Sequence, residues 1–147
     1  MIVKRSADPS AWCAIAALVF AIAAILSAQQ PQSVWDGTFT DAQAKRGDPL
    51  YATHCAHCHA ADLTGGEMAP PLTGGEFRYT WNGLTLGDLF DRMRISMPQD
   101  NPGGLSRQQN ADILAFMLFK SSFPPGESEL APQTEVLKDI KFEADKP

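Results

Sequence analysis

The strongest constraint on this chain lies in five consecutive residues, Cys55, Ala56, His57, Cys58 and His59, which follow the pattern C-x-x-C-H. Two cysteines three positions apart, followed at once by a histidine, are typical of the covalent attachment of a c-type haem. Each thiol can form a thioether with one haem vinyl group, and the adjacent imidazole can then ligate one face of the iron. The motif therefore predicts one covalently attached haem c with His59 as its proximal ligand.

Two other chemistries also use C-x-x-C pairs. A thioredoxin-like dithiol lies near a βαβ pattern, and the sequence shows none. A closed zinc site needs four ligands of the Cys and His type, whereas outside the motif the chain offers only Cys13 and His54. Haem attachment is the main interpretation, and zinc binding or dithiol chemistry is the alternative.

Residues 1–28 have the layout of a secretory leader. Lys4 and Arg5 form a basic start, residues 11–26 carry no charge, and Ser27 and Ala28 end the run. We expect cleavage after Ala28 and a periplasmic mature protein. The uncharged run of 16 residues is long for a signal peptide, so an uncleaved anchor to the inner membrane over residues 11–28 is the alternative.

Length and charge limit the domain organisation and the partners. The 147 residues predict one domain with attached segments. These are an arm over residues 29–39, a domain over residues 40–126 and a C-terminal tail over residues 127–147. Without residues 1–28 the chain keeps 10 basic and 16 acidic side chains, a formal charge of −6. This balance argues against nucleic acid as a partner and favours basic patches on partner proteins.

The secondary-structure signals are helical throughout. Three helix starts are predicted from capping pairs, namely Thr40 with Gln43, Thr85 with Asp88, and Ser106 with Gln109. We expect Gly47 to end or bend the first helix and Pro49 to begin the next. Residues 61–82 hold six glycines and prolines, which predicts a long irregular loop. A short helix is predicted near residues 135–141. No strand pattern occurs, so the fold class is all-α.

The second axial position of the iron needs a separate candidate. Met97 is the best one, because it follows an amphipathic helix and precedes Pro98 in a turn. Met93 and Met117 have the pattern of core residues, and Met68 follows His59 too closely to be more than a weak choice. His/Met ligation would raise the reduction potential and fill both axial sites of the iron.

With these residues in place, the chain resembles the class I monohaem c-type cytochromes. The family has a glycine and an aromatic residue ahead of the motif, and Gly47 and Tyr51 stand at that spacing. The resemblance implies that they meet Ile113 and Phe116 of the last helix. The segment Pro70-Pro71-Leu72 is similar to the family's Pro-x-Leu, which implies that the Pro70 carbonyl accepts a hydrogen bond from the His59 ring.

A narrower resemblance is to the cytochrome domains and subunits of quinoprotein (PQQ) alcohol dehydrogenases. It depends on residues 97–105 and on the Phe-Pro-Pro-Gly segment at residues 123–126. This resemblance implies that Tyr79 and Trp81 lie near the haem propionates. Ordinary packing of these two aromatic residues in a loop is the alternative.

The leading functional hypothesis is an electron-transfer protein rather than an enzyme. It would take single electrons from a dehydrogenase, which could be a quinoprotein, and pass them to a terminal oxidase or another cytochrome. One alternative is a small peroxidase whose sixth haem site is open. Another is a haem subunit of a redox complex that the N-terminal segment holds at the membrane.

Overall fold

A computed structural model describes residues 32–147. The predicted leader or anchor therefore lies outside the described residues. The helices are α1 (Asp41–His54), α2 (Ala56–His59), α3 (Gly74–Trp81), α4 (Leu86–Ser96), α5 (Arg107–Lys120) and α6 (Thr134–Leu137). Within the described range, the two strands β1 (Gln32–Ser33) and β2 (Ile140–Lys141) form one parallel pair. The predicted all-α class is confirmed, with this two-residue pair as an addition. None of the helices over residues 32–147 is long and apolar enough to cross a membrane.

Helices α1 and α5 cross in close contact at Gly47. A Cβ atom on Gly47 would lie 2.0 Å from the Asp112 carbonyl oxygen and 2.8 Å from Phe116 Cβ. One turn later, the rings of Tyr51 and Phe116 pack with their centroids 5.4 Å apart. Only a residue without a side chain allows this approach. The structure thus brings Gly47 and Tyr51 to Phe116, as the resemblance implies.

The predicted break in α1 is wrong. The helix runs without interruption from Asp41 to His54 and contains Pro49. Pro49 is exposed, so its ring faces solvent and its missing N–H costs one helical hydrogen bond without a clash against the core. Gly47 is buried on the other side of the helix. Packing of that side on α5 stabilises the helix despite the two residues that disfavour it.

Part of the predicted loop over residues 61–82 is also helical. Helix α3 begins at Gly74 and Gly75 and runs to Trp81. Its only fully buried side chain is Phe77, whose ring packs edge-to-face on Phe142 at 5.8 Å. Tertiary packing therefore forms a helix where the local sequence disfavours one.

The capping predictions are confirmed in full at two of the three helices. Both hydrogen bonds of the capping box are present at Thr85 and at Ser106. At α1, Thr40 Oγ1 accepts from the Gln43 N–H at 3.1 Å. The Gln43 side chain does not return this bond, because its Nε2 donates to the Leu130 carbonyl at 3.0 Å and its Oε1 accepts from the Leu130 N–H at 2.6 Å.

Residues 127–147 pack into the core and are more than an appended tail. Leu130, Leu137 and Phe142 are buried. Phe142 joins three other rings in an aromatic cluster that consists of Trp35, Phe77, Phe123 and Phe142. Main-chain bonds of 2.9 Å join Phe142 to Gly83 and to Leu84. The predicted arm contributes Trp35 to the cluster, so both ends of the described chain share one core with the helices.

We predict that G47A lowers the free energy of unfolding of the holoprotein. The new methyl group would meet Asp112 backbone, and overpacking of this kind costs about 1–3 kcal/mol. The gain in helix propensity, about 0.5–1 kcal/mol, offsets only part of this cost. Denaturant unfolding measures the change. G75A is the control, because a Cβ there meets nothing within 4 Å. Equal stability of the two variants would contradict the assignment of Gly47 to the helix crossing.

A second prediction concerns the link between α1 and residues 127–147. Q43M keeps a similar side-chain volume but leaves the buried Leu130 N–H and C=O without partners, at about 1–3 kcal/mol for each group. Denaturant unfolding should therefore show a clear loss of stability. Q133M is the control, since Gln133 is exposed and its side chain caps nothing. A Q43M protein as stable as Q133M would show that the Gln43 amide does not stabilise the packing of residues 127–147.

Candidate haem site

The C-x-x-C-H motif lies at the end of α1. Cys55 caps this helix, and its N–H donates to the Tyr51 carbonyl at 2.9 Å. The His59 N–H then donates to the Cys55 carbonyl at 3.0 Å. Through these bonds the crossing of α1 and α5 determines where the two thiols and the imidazole lie.

Both cysteines and His59 line one cavity of about 480 Å³. This volume is within the range of roughly 300–1,000 Å³ that is usual for cofactor sites. Its apolar walls come from three helices and the loop before them, and include Leu72, Phe77, Trp81, Leu89, Ile113 and Met117. A large apolar cofactor with a polar edge suits such a cavity.

The His59 ring is oriented by a main-chain oxygen. Its Nδ1–H donates to the Pro70 carbonyl at 2.8 Å, and the residue is 8% exposed. A carbonyl can only accept, so Nδ1 carries the proton of the neutral ring and Nε2 has the free lone pair that a metal needs. A bond of this kind fixes a ligating ring and increases its basicity. The structure thus brings Pro70 to His59, as the resemblance implies.

Tyr51 supports the backbone that follows the motif. Its hydroxyl donates to the Ala60 carbonyl at 2.7 Å. Burial raises the pKa of Tyr51, so the hydroxyl stays neutral and remains a donor. The tyrosine therefore links the helix crossing to the chain on the C-terminal side of His59.

Met97 reaches the same cavity from α4. It is the C-cap residue directly after Ser96, and its backbone is extended, with φ −124° and ψ 152°. Its N–H still donates to the Met93 carbonyl at 2.9 Å. Met68, Met93 and Met117 also line the cavity. Met68 is 79% exposed, whereas Met93 and Met117 are buried among core residues.

The two predicted aromatic residues differ in position. Trp81 lines the cavity, but Tyr79 does not. The Tyr79 side chain is 61% exposed, and its hydroxyl donates to Asp145 Oδ2 at 3.0 Å. Residues two apart on a helix point to different sides, which agrees with Trp81 lining the cavity and Tyr79 facing solvent. Tyr79 as a cofactor-binding residue therefore stays a prediction, and the structure places its side chain at the surface and not among the cavity residues.

Arg92 is a cavity residue that the sequence analysis missed. It follows Leu89 by three positions and precedes Met93, and all three line the cavity. The spacing of these residues on one helix could therefore have indicated Arg92. An exposed arginine on α4 points to no function, however, until the cavity beside it is known. A guanidinium can pair with a carboxylate, and haem carries two propionate groups.

The alternatives to haem find little support in the geometry. Burial raises the pKa of the Cys55 thiol to about 11. A reactive dithiol needs a lowered thiol pKa, so this environment does not favour thioredoxin-like chemistry. Over residues 32–147, no three His, Cys, Asp or Glu side chains are gathered as a metal site. The donor set of two thiols, one imidazole and one thioether around an apolar cavity fits haem c.

Comparison with known proteins gives two findings. The family described as cytochrome c oxidase, cbb3-type, subunit III matches residues 42–117, just over half of the chain. Among solved structures, the sulfane dehydrogenase SoxCD from Paracoccus pantotrophus aligns at 22% identity with a TM-score of 0.49, over 95% of this chain and 67% of that chain. No curated protein matches the sequence.

The family match contains the whole C-x-x-C-H motif, Pro70 and Met97. A cytochrome c domain binds haem c and exchanges electrons with redox partners, and such domains typically work outside the cytoplasm. The chain belongs to the cytochrome c family described as cytochrome c oxidase, cbb3-type, subunit III, and is therefore an electron-transfer protein.

Proposed function

We propose that this protein is a class I monohaem c-type cytochrome that carries single electrons in the periplasm. One observation carries the proposal: the His59 ring donates to Pro70 from within a cavity that Cys55, Cys58 and Met97 also line. The thiols of Cys55 and Cys58 would hold the haem, and His59 Nε2 would be its proximal ligand.

Met97 is the proposed second ligand. A thioether favours Fe(II), so His/Met ligation raises the reduction potential and suits an electron carrier. With both axial sites occupied, oxygen or peroxide could bind only after a ligand leaves. This filled coordination favours electron transfer over the peroxidase alternative.

The other cavity residues would bind the haem and exclude water. The apolar walls keep solvent away from the iron, which tunes the potential together with the ligands. Arg92 would pair with a haem carboxylate, and Trp81 would cover the ring from α3. The haem itself supplies the Fe(III)/Fe(II) couple.

The proposed partners are a dehydrogenase as electron donor and a terminal oxidase or another cytochrome as acceptor. The resemblance to cytochromes of quinoprotein alcohol dehydrogenases suggests a quinoprotein donor. The family's description as an oxidase subunit supports an oxidase as acceptor. The formal charge of −6 on residues 29–147 would steer the protein towards basic patches on these partners.

The family description also favours a second candidate, a haem subunit of a membrane-anchored redox complex. Residues 11–28 would then be an uncleaved anchor. We predict instead that the periplasmic protein begins at Gln29, as N-terminal sequencing of the soluble and membrane fractions would show. Recovery of the haem protein only from membranes, with residues 11–28 intact, would favour the anchored subunit.

The ligand assignment predicts the behaviour of two matched variants. M97L should lower the reduction potential and let the reduced protein bind carbon monoxide, because it removes the thioether. M93L should behave like the wild type, because Met93 is 9% exposed and a leucine replaces its bulk. Absorption spectra of the reduced holoproteins, with and without carbon monoxide, measure both outcomes.

Two results would contradict this assignment. If M93L alone gains carbon monoxide binding, Met93 is the ligand and Met97 is a loop residue. If the wild type already binds carbon monoxide freely, the sixth site is open and the peroxidase becomes the better hypothesis.

A further inference from the structure

A single loop joins His59 to the carbonyl that orients its ring. The chain leaves the motif at Ala60 and returns at Pro70, whose oxygen lies 2.8 Å from His59 Nδ1. An oxygen held this close must keep its position to within a few tenths of an ångström, because hydrogen bonds weaken with distance and misalignment. The geometry of the loop therefore decides whether the bond forms.

Hydrogen bonds within the loop hold its two limbs together. The Gly65 N–H donates to the His59 carbonyl at 3.0 Å, and the Gly66 N–H donates to the Ala69 carbonyl at 2.9 Å. Further along, the Leu72 N–H donates to the Leu63 carbonyl at 2.8 Å. Gly65 thus connects directly to the ligand residue through its own N–H.

Gly65 also touches the peptide that carries the orienting oxygen. A Cβ atom there would lie 2.6 Å from Pro70 C and 2.6 Å from Pro71 N. Both are main-chain atoms, which cannot rotate aside as a flexible side chain could. The φ angle of Gly65 is +73°, a conformation that most L-residues avoid. Any side chain at this position would displace the peptide between Pro70 and Pro71.

We propose that Gly65 is a positioning residue for the proximal ligand, because only a residue without a side chain lets the Pro70 carbonyl reach the His59 ring. The inference rests on the proposed function, in which His59 ligates the haem iron. Gly65 acts through Pro70 and touches no reacting atom. Its effect is on the donor strength of the imidazole.

The sign of this effect follows from ligand chemistry. A hydrogen bond from Nδ1–H to a carbonyl makes the ring a stronger donor, and a stronger donor stabilises Fe(III) relative to Fe(II). Loss of the bond should therefore raise the reduction potential. It should also expose the Nδ1 proton to exchange with solvent.

The test uses G65A and G65N in the full-length holoprotein. Both variants place a Cβ against the peptide of Pro70 and Pro71, and asparagine tolerates positive φ better than alanine does. We expect both to have a raised reduction potential in redox titration and faster solvent exchange of the His59 Nδ1 proton by NMR.

Two glycine variants serve as controls. G66A changes the neighbouring residue, where a Cβ meets nothing within 4 Å. G83A changes a glycine with φ +82° and equally open surroundings. It therefore measures the cost of a positive φ without a clash. Both controls should retain the wild-type potential and exchange rate.

Three outcomes distinguish the possibilities. Unchanged potential and exchange in the Gly65 variants would overturn the inference. It would also be overturned if neither variant attached haem while G83A did so normally, since Gly65 would then serve the fold of the loop. A wild-type protein without a haem c spectrum would instead refute the proposed function.

Discussion

The close crossing of α1 and α5 at Gly47 is the contact on which the rest of the site depends. It brings the two helix backbones together without an intervening side chain, so α1 has little freedom to slide or rotate on α5. The motif follows directly at the end of α1, so the same crossing determines its position. Tyr51 strengthens the arrangement twice, since its ring packs on Phe116 and its hydroxyl holds the Ala60 carbonyl. Helix packing therefore determines the position of the cavity without any contact to a cofactor.

The core consists of two regions with different roles. Next to the cavity, side chains from α3, α4 and α5 form apolar walls and leave space between them. Away from it, the aromatic cluster of Trp35, Phe77, Phe123 and Phe142 joins both ends of the described chain to α3. Phe77 belongs to both regions, because it lines the cavity and packs on Phe142. The segment over residues 127–147 therefore helps to hold the helix that carries Trp81.

Features that depend on residues close together in the sequence could be predicted from it. The capping boxes at Thr85 and Ser106 depend on partners three positions away, and both formed. Judged from its neighbours in sequence, Gly47 indicates a helix break, whereas the residue that requires a glycine there is Asp112, a neighbour only in space. Gln43 likewise has the spacing of a capping residue, whereas its side chain bonds to Leu130. The structure brings the predicted residues of the motif, Pro70, Met97 and Trp81 to one cavity, whereas the outward direction of Tyr79 depends on a helix that its local sequence does not indicate.

The two proposed iron ligands are held by very different means. His59 ends the short helix α2 directly after Cys58, its N–H donates to the Cys55 carbonyl and its ring donates to Pro70, so several contacts determine where the ring lies. Met97 caps the C-terminal end of α4 and is followed by a turn in which the Asn101 N–H donates to the Pro98 carbonyl at 3.0 Å. Its side chain is only half-buried, whereas His59 is buried. Local opening is easiest where contacts are few, so any change of the iron's coordination would begin on the methionine side. With Met97 as the proposed ligand, the end of α4 would therefore decide between a closed electron carrier and an open, ligand-binding haem, while the histidine side would stay the same in both.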